Sequence, residues 1–274
     1  MKKVLILGGG FAGVYTARSL ERLLRPGEAE ITIVNRENYW VYQPMLPEVI
    51  SGSIGLTDVV SPIRRLCPRT RLVMREVESI DLDRRTVTVS PGFRPVATTL
   101  SYAMPFRTLA DALAVRNHLI HALEEADCEE DADLRGKLLT FVVGGGGFSG
   151  VEAIAELNDF IRAVKSNYPR LRGETVRCVL IQSGDRILPE MAEPLAVFAQ
   201  KLLRKRGVEI ILKDRLRAAT SERAILKSGV EIPCKTIIST VPSAAPPVLD
   251  RLQCKKDRGK LLVDSALCLV DYPG

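Results

Sequence analysis

The sequence holds no C-x-x-C pair, and its six cysteines (Cys67, Cys128, Cys178, Cys234, Cys254 and Cys268) are scattered. There are two histidines, His118 and His121. With no cysteine at metal-ligand spacing, this composition argues against a zinc site. Scattered thiols without a secretion signal fit a reduced compartment. No apolar run reaches the ~18–20 residues of a membrane-spanning helix. The opening "MKKVLILGGG" is too short, and too soon ended by glycine, for a signal's apolar region. The chain is therefore expected to be cytoplasmic and to meet a membrane, if at all, peripherally at the cytoplasmic face. Aromatic residues are only 5% and are not interleaved with basic ones as a stacking platform requires, so no nucleic-acid partner is expected.

The composition that is present belongs to an ordinary folded protein: 46% hydrophobic and 26% charged residues over 274 positions, enough for about two domains. The net charge is +6, from 39 basic and 33 acidic residues, and part of it lies in "KLLRKRG", 201–207. A solvated basic helix face is the plainer reading of that run. The alternative is attraction to anionic lipid or nucleotides.

The feature that organises the chain is a repeat. "KVLIL" (3–7) is a continuous apolar run of the kind a buried parallel strand shows. Glycines follow, then a helix with Val14, Ala17, Leu20, Leu23 and Leu24 as its apolar stripe, ended at Pro26-Gly27, and then the strand "EITIVN" (30–35). The order returns as the strand "KLLTFVV" (137–143), a glycine loop, a helix from Phe148 to Val164 carrying Val151, Ile154, Ala155, Asn158 and Ile161, and the strand "VRCVLIQ" (176–182). Between the copies, 77–90 reads as a hairpin and 108–127 as a long helix opened by a Thr108/Asp111 capping box. "AEPLAVFAQKLLRKRG" is a further helix, "VEIIL" and "KTIIST" are strands, and "TVPSAAPPVLD" is a connector.

In each copy the glycines have G-x-G-x-x-G spacing: Gly8, Gly10 and Gly13, then Gly145, Gly147 and Gly150. The first glycine permits the tight turn, the second lets a pyrophosphate approach, and the third lets helix and strand pack closely. The helix N-terminus then faces the phosphates. The strand–loop–helix–strand context makes each copy a dinucleotide-binding candidate, with Phe11, Ala12, Phe148 and Ser149 in the loop-to-helix segments. Two copies predict two dinucleotides and electron transfer between them. The usual acid at the end of the second strand is missing. Asn35 stands there in the first copy, with Glu37 close by, and Gln182 in the second. An amide can bond a ribose hydroxyl without repelling a 2′-phosphate, and Arg186 is nearby, so NADPH is left open beside NADH. Glu152 follows the second motif. The helix dipole alone accounts for a carboxylate there, and a proton relay in a cofactor crevice accounts for it equally.

The stretches "ILGGGFAGVYTARSL", "ITIVNRENYWVYQPMLPEVISG" and "FVVGGGGFSGVEAIAELND", with "SGDRILPEM", "LRKRGVEI" and "DRGKLLVDSALCLVDYPG" in the same order, resemble the type II NADH dehydrogenases, flavoproteins that oxidise NADH and reduce quinone. The resemblance implies an α/β fold of two Rossmann-like three-layer dinucleotide-binding domains, the NAD domain inserted in the FAD domain. It implies an FAD-binding part at 1–107, a linking helix at 108–135, an NAD(P)H-binding domain at 136–247 and a return to the first domain at 248–274. By the same resemblance, Gly8, Gly10 and Gly13 hold the FAD pyrophosphate, Asn35 and Arg36 lie near its ribose, Pro44, Met45 and Leu46 near the flavin ring, and Val77 at the adenine. Gly145, Gly147 and Gly150 hold NADH, and Glu152 stands between flavin and nicotinamide as a catalytic acid. The partners it implies are a quinone and the membrane surface, and self-association into a homodimer is left open. Cys67 stands alone before Pro68, which argues against the disulfide-reducing branch of these flavoproteins.

Two departures from the pattern qualify the expectation. A strand closing the FAD domain is not evident in 96–109, and the Gly-Asp pair expected beyond "LVDYPG" is not in the sequence. The chain thus reads as a shortened member, with FAD affinity weakened or lost and an NADH-binding half that is complete. A reductase with a protein acceptor, and a nucleotide-binding remnant without redox activity, are the competing expectations.

Overall fold

The computed structural model describes residues 1–91, 102–241, 247–257 and 259–272. In chain order the first elements are β1 (Lys2–Leu7), α1 (Phe11–Leu23), β2 (Ala29–Asn35), β3 (Tyr39–Val41), α2 (Leu46–Ser51), β4 (Val60–Pro62), α3 (Ile63–Leu66), β5 (Arg71–Met74), β6 (Val77–Asp81), β7 (Thr86–Val89) and β8 (Met104–Pro105). They are followed by α4 (Leu109–Cys128), α5 (Ala132–Leu138), β9 (Thr140–Gly144), α6 (Phe148–Val164), β10 (Arg177–Ile181), α7 (Glu193–Lys205), β11 (Val208–Ile211), β12 (Leu216–Ala219), β13 (Arg223–Leu226), β14 (Glu231–Pro233) and β15 (Thr236–Ser239). The short helix α8 (Pro247–Asp250) and the strands β16 (Lys256–Asp257) and β17 (Lys260–Leu261) end the described chain.

Two compact units result. The first comprises Met1–Val41, Val60–Val96 and Pro242–Gly274, and the second, inserted into it, Tyr42–Val59 and Ala97–Val241. The fold is α/β with two Rossmann-like units, one interrupting the other. The first unit is built on the parallel sheet β1-β2-β5, with Val4 opposite Ile31 and Ile33 opposite Leu72. One face carries a core of Ile6, Val14, Ala17, Ile31, Ile33, Ile63 and Cys67. The run 3–7 was expected to be buried on both faces, but Leu5 and Leu7 are exposed, so only the Ile6 face of β1 is covered. In α1, Val14 and Ala17 are buried as expected, whereas Leu23, in the last turn, is 79% exposed. The hairpin read at 77–90 is β6 against β7.

The second unit holds the parallel sheet β11-β10-β9-β15-β8. Every residue of β9 is buried, as an apolar strand between two layers must be. Val142, Val179 and Ile237 pack with Ala224, Leu226, Ile232 and Cys234, placing the antiparallel sheet β12-β13-β14 over one face. Alternation turns Phe141 and Val143 to the other face, where α4 and α6 pack. The strand begins later than the apolar run suggests. Lys137 and Leu138 end α5, whose cap Asp131 accepts from the N–H groups of Asp133 and Leu134. In α6 the buried stripe is Ala153, Ile154, Leu157, Asn158 and Ile161, so Val151 and Ala155 lie at its margin. α4 is capped as its sequence implies, Thr108 Oγ1 accepting from Asp111 N–H (3.1 Å) and the Asp111 carboxylate from Thr108 N–H (2.9 Å). Of the segment 96–109, residues 96–101 lie outside the described part. Its described remainder includes β8, which joins the second unit's sheet beside β15. Residues 242–246 of the connector also lie outside the described part.

Candidate dinucleotide sites

The two glycine loops have the same construction, contact by contact. Gly8 has φ of +102° and Gly145 of +114°, a left-handed turn that glycine adopts without a steric cost. The Gly8 N–H donates to Val34 O (2.8 Å) and the Gly145 N–H to Ile181 O (2.9 Å), tying each loop to the strand beside it. Each helix starts at the second glycine, Gly10 or Gly147, with no side chain capping it. A Cβ on Gly13 would stand 1.9 Å from Gly8 O, and one on Gly150 would stand 1.7 Å from Gly145 O. Only glycine allows helix and loop to approach so closely. At Gly10 and Gly147 nothing lies within 4 Å of the corresponding point, so a Cβ there would stand in open space. Ala12 and Ser149 are exposed at the two helix starts. Phe11 packs edge-on against Trp40 at 5.0 Å, and Phe148 is exposed.

The amides at the strand ends have a role that sequence reasoning did not foresee. Asn35 Oδ1 accepts from Gly9 N–H (2.8 Å), and Gln182 Oε1 accepts from Gly146 N–H (3.1 Å) and Ser183 N–H (3.2 Å). Each amide therefore clamps the middle of its own glycine loop. A Cβ on Gly9 would meet Asn35 and Ile63 within 2.8 Å, and one on Gly146 would meet Gln182 at the same distance. Gly9 and Gly146 are thus hemmed in by side chains, less tightly than Gly13 and Gly150 are by backbone. Asn35 Nδ2 donates to Glu37 O (2.9 Å), while Gln182 Nε2 has no protein partner among the described residues. Thr240, unforeseen as well, donates from Oγ1 to Gly144 O (3.0 Å) and lies against the loop at Gly145 and Gly150. Leu188, at φ +49°, donates its N–H to Gly146 O (2.7 Å), folding the 184–191 turn back onto the loop. The remaining expected residues have these positions. Arg36 is exposed after β2, and Val77 opens β6. Arg186 donates to Pro189 O (3.2 Å). Pro44 and Met45 are exposed in the turn before α2, and Leu46 is buried in α2 itself; all three belong to the second unit.

Glu152 lies one residue beyond the first turn of α6. Its carboxyl is raised above the ordinary value of 4.5, by desolvation first and then by the charge of Glu48. A helix dipole acting alone would lower it, so partial desolvation of this surface residue and the charge of Glu48 outweigh the dipole. Glu48 is on α2, which packs on α6, and its Oε2 is buried with no hydrogen-bond partner among the described residues. The three buried cysteines are held in the thiol form. Burial pushes the Cys178 thiol up to about 12 and Cys234 to about 11, and it raises Cys67, which is enclosed in the first unit's core.

The protein thus has two Rossmann-like units, each with a clamped glycine loop at a helix N-terminus. The profile of the pyridine nucleotide-disulphide oxidoreductase family matches residues 2–273, and the chain belongs to that family. Curated relatives include the type II NADH:quinone oxidoreductase NdhA of Mycobacterium tuberculosis, 26% identical over 307 residues that span 99% of this chain and 64% of that protein. The type II NADH:quinone oxidoreductase of Staphylococcus aureus is 28% identical over 244 residues, 82% of this chain and 60% of that protein. The chain thus spans less than two thirds of the length of these relatives. Among solved structures, NDH2 of Plasmodium falciparum in complex with NADH has a TM-score of 0.78 at 19% identity, over 91% of this chain and 57% of that one. The sulfide:quinone oxidoreductase of Aquifex aeolicus has a TM-score of 0.68 at 20% identity, over 91% and 61%. At these identities the structures bear on the fold.

Proposed function

We propose that the chain is a flavin-dependent NADH dehydrogenase that passes electrons to a quinone, with FAD on the Gly8–Gly13 loop and NADH on the Gly145–Gly150 loop. The observation that carries this is the duplication: two loops with the same clamp, the same close helix approach and the same open space at the middle glycine. The relatives named as NADH:quinone oxidoreductases support the choice of donor and acceptor. We propose FAD at 1–107 and 248–274, NAD(P)H at 136–247 and a link through 108–135, although Tyr42–Val59 and Ala97–Val241 cluster as one compact unit.

FAD, when bound, supplies hydride acceptance from the nicotinamide and onward electron delivery. The chain's residues do the rest. The N–H groups of the first turns of α1 and α6 would hold the two pyrophosphates, since those of Gly8, Gly9, Gly145 and Gly146 already donate to strand and amide oxygens. Gln182 Nε2 is left to donate to a ribose hydroxyl of NADH, since its Oε1 is engaged by the loop. Without a carboxylate there, NADPH is also accommodated, with Arg186 the nearby cation. Glu152, with its proton affinity raised above that of an ordinary carboxylate, would relay a proton toward the reduced acceptor. We place the protein in the cytoplasm, peripheral to a membrane.

The test is NADH oxidation by the FAD-supplemented protein with a water-soluble quinone, monitored with and without added FAD. The expected result is FAD-dependent turnover that Glu152→Gln slows while leaving NADH binding unchanged. NADH binding with no acceptor reduced would instead make the chain a nucleotide-binding protein without redox activity. Reduction of a small iron–sulfur protein but of no quinone would make it a reductase of protein acceptors.

A further inference from the structure

Helix α7 is built in an unusual sense. Of its 13 residues only Ala196 and Leu203 are buried. The large apolar side chains are outside: Leu195 is 54% exposed, Phe198 65% and Leu202 44%. Their i, i+3, i+7 spacing aligns them along one side of the helix. Lys201 and Lys205 follow Phe198 and Leu202 by three residues each, so they border that line, and Arg204 joins them in the last turn. All three cations are exposed, and none forms an ion pair among the described residues. After Glu193 the helix has no acidic residue. The basic run 201–207 is therefore one border of an apolar stripe, which a merely solvated face would lack.

We propose that α7 is a surface-docking helix that lays Leu195, Phe198 and Leu202 into a bilayer containing anionic lipid, with Lys201 and Lys205 at the headgroup phosphates. An exposed apolar stripe with cations along its border is the pattern that lies in a membrane interface. Charge selects this occupant over a second copy. The chain carries +6, and pairing two α7 faces would set Lys201 and Lys205 against their own kind. Docking of this sort needs no spanning segment, and no described helix is long and apolar enough to cross a membrane.

The experiment is co-sedimentation of the FAD-supplemented full chain with vesicles of phosphatidylcholine, with or without phosphatidylglycerol. Binding should favour the anionic vesicles and weaken with salt. Lys201→Glu/Lys205→Glu should reduce binding about ten-fold or more. Leu195→Ser/Phe198→Ser/Leu202→Ser should reduce it comparably, with the circular dichroism spectrum and melting temperature retained. Arg22→Glu/Arg65→Glu, which changes exposed cations on α1 and α3, should leave binding intact. The proposal is overturned if the wild type ignores anionic vesicles, if the α7 variants bind as it does, or if the α1/α3 variant loses binding equally. It is also overturned if the wild type is a dimer without lipid and the α7 variants are monomers, which would make a second copy the occupant.

Discussion

At the scale of single residues, the decisive contacts are those that leave no room. Gly13 and Gly150 approach a backbone oxygen so closely that an added methyl cannot be accommodated without moving the helix. Overpacking of this kind costs roughly 1–3 kcal/mol. Urea unfolding should show Gly150→Ala destabilised by that amount, and titration should show weakened NADH binding. Gly13→Ala should weaken FAD binding and leave NADH binding alone. Equal loss of both nucleotides in either variant would contradict separate sites. Glu152 gives a pH-dependent prediction. Its raised pKa means that the stability it permits is complete below the ordinary value of 4.5 and is lost as pH rises through the folded-state value, where the desolvated carboxylate forms beside Glu48. Glu152→Gln should therefore raise the melting temperature at neutral pH relative to the wild type, and do so less in acid. An increase that is the same at both pH values would refute this. The motif glycines were legible because their spacing is set by the loop itself. The direction of Asn35 and Gln182 was not legible. Whether an amide at a strand end faces ligand or loop depends on how tightly Gly9 and Gly146 pack beneath it, and the sequence pattern does not reveal that fit.

At the scale of elements, local signals served best where a cap or a glycine marks an end. α4 begins at its capping box and α6 runs from Phe148 to Val164 as its pattern implies. Thr108→Ala should cost about 1 kcal/mol in chemical denaturation, because it removes the hydrogen bond to Asp111 N–H. No loss would show that the cap is idle. The start of β9 was misplaced because an apolar "KLL" reads equally as strand or as helix end, and Asp131 at the α5 cap decides for the helix. β1 looked like a strand with two covered faces. Its composition matches β9, yet only β9 has a layer on each side. The apolar run gives the strand; what covers it is a tertiary fact. The same holds for α7, where the period marks a helix but leaves open which face meets the sheet.

At the scale of the molecule, the duplicated loop predicts the two-unit architecture, while the insertion of one unit in the other was implied by the resemblance to the type II NADH dehydrogenases. The units were less legible at their margins: residues 42–59 belong compactly to the second unit, through the packing of α2 on α4 and α6. Binding to folded protein alone stabilises it by mass action, about 2.7 kcal/mol at a hundred-fold excess over the dissociation constant. NADH should therefore raise the melting temperature of the whole protein, and Gly150→Ala should blunt the rise; a shift unaffected by that substitution would place NADH elsewhere. The central claim is that the chain holds two dinucleotides and connects them. Its most direct test is the visible absorption spectrum of the FAD-reconstituted protein before and after NADH is added without oxygen. The account predicts a protein-bound flavin spectrum that bleaches on addition of NADH. A protein that retains no flavin, or a bound flavin that stays oxidised in excess NADH, would contradict it.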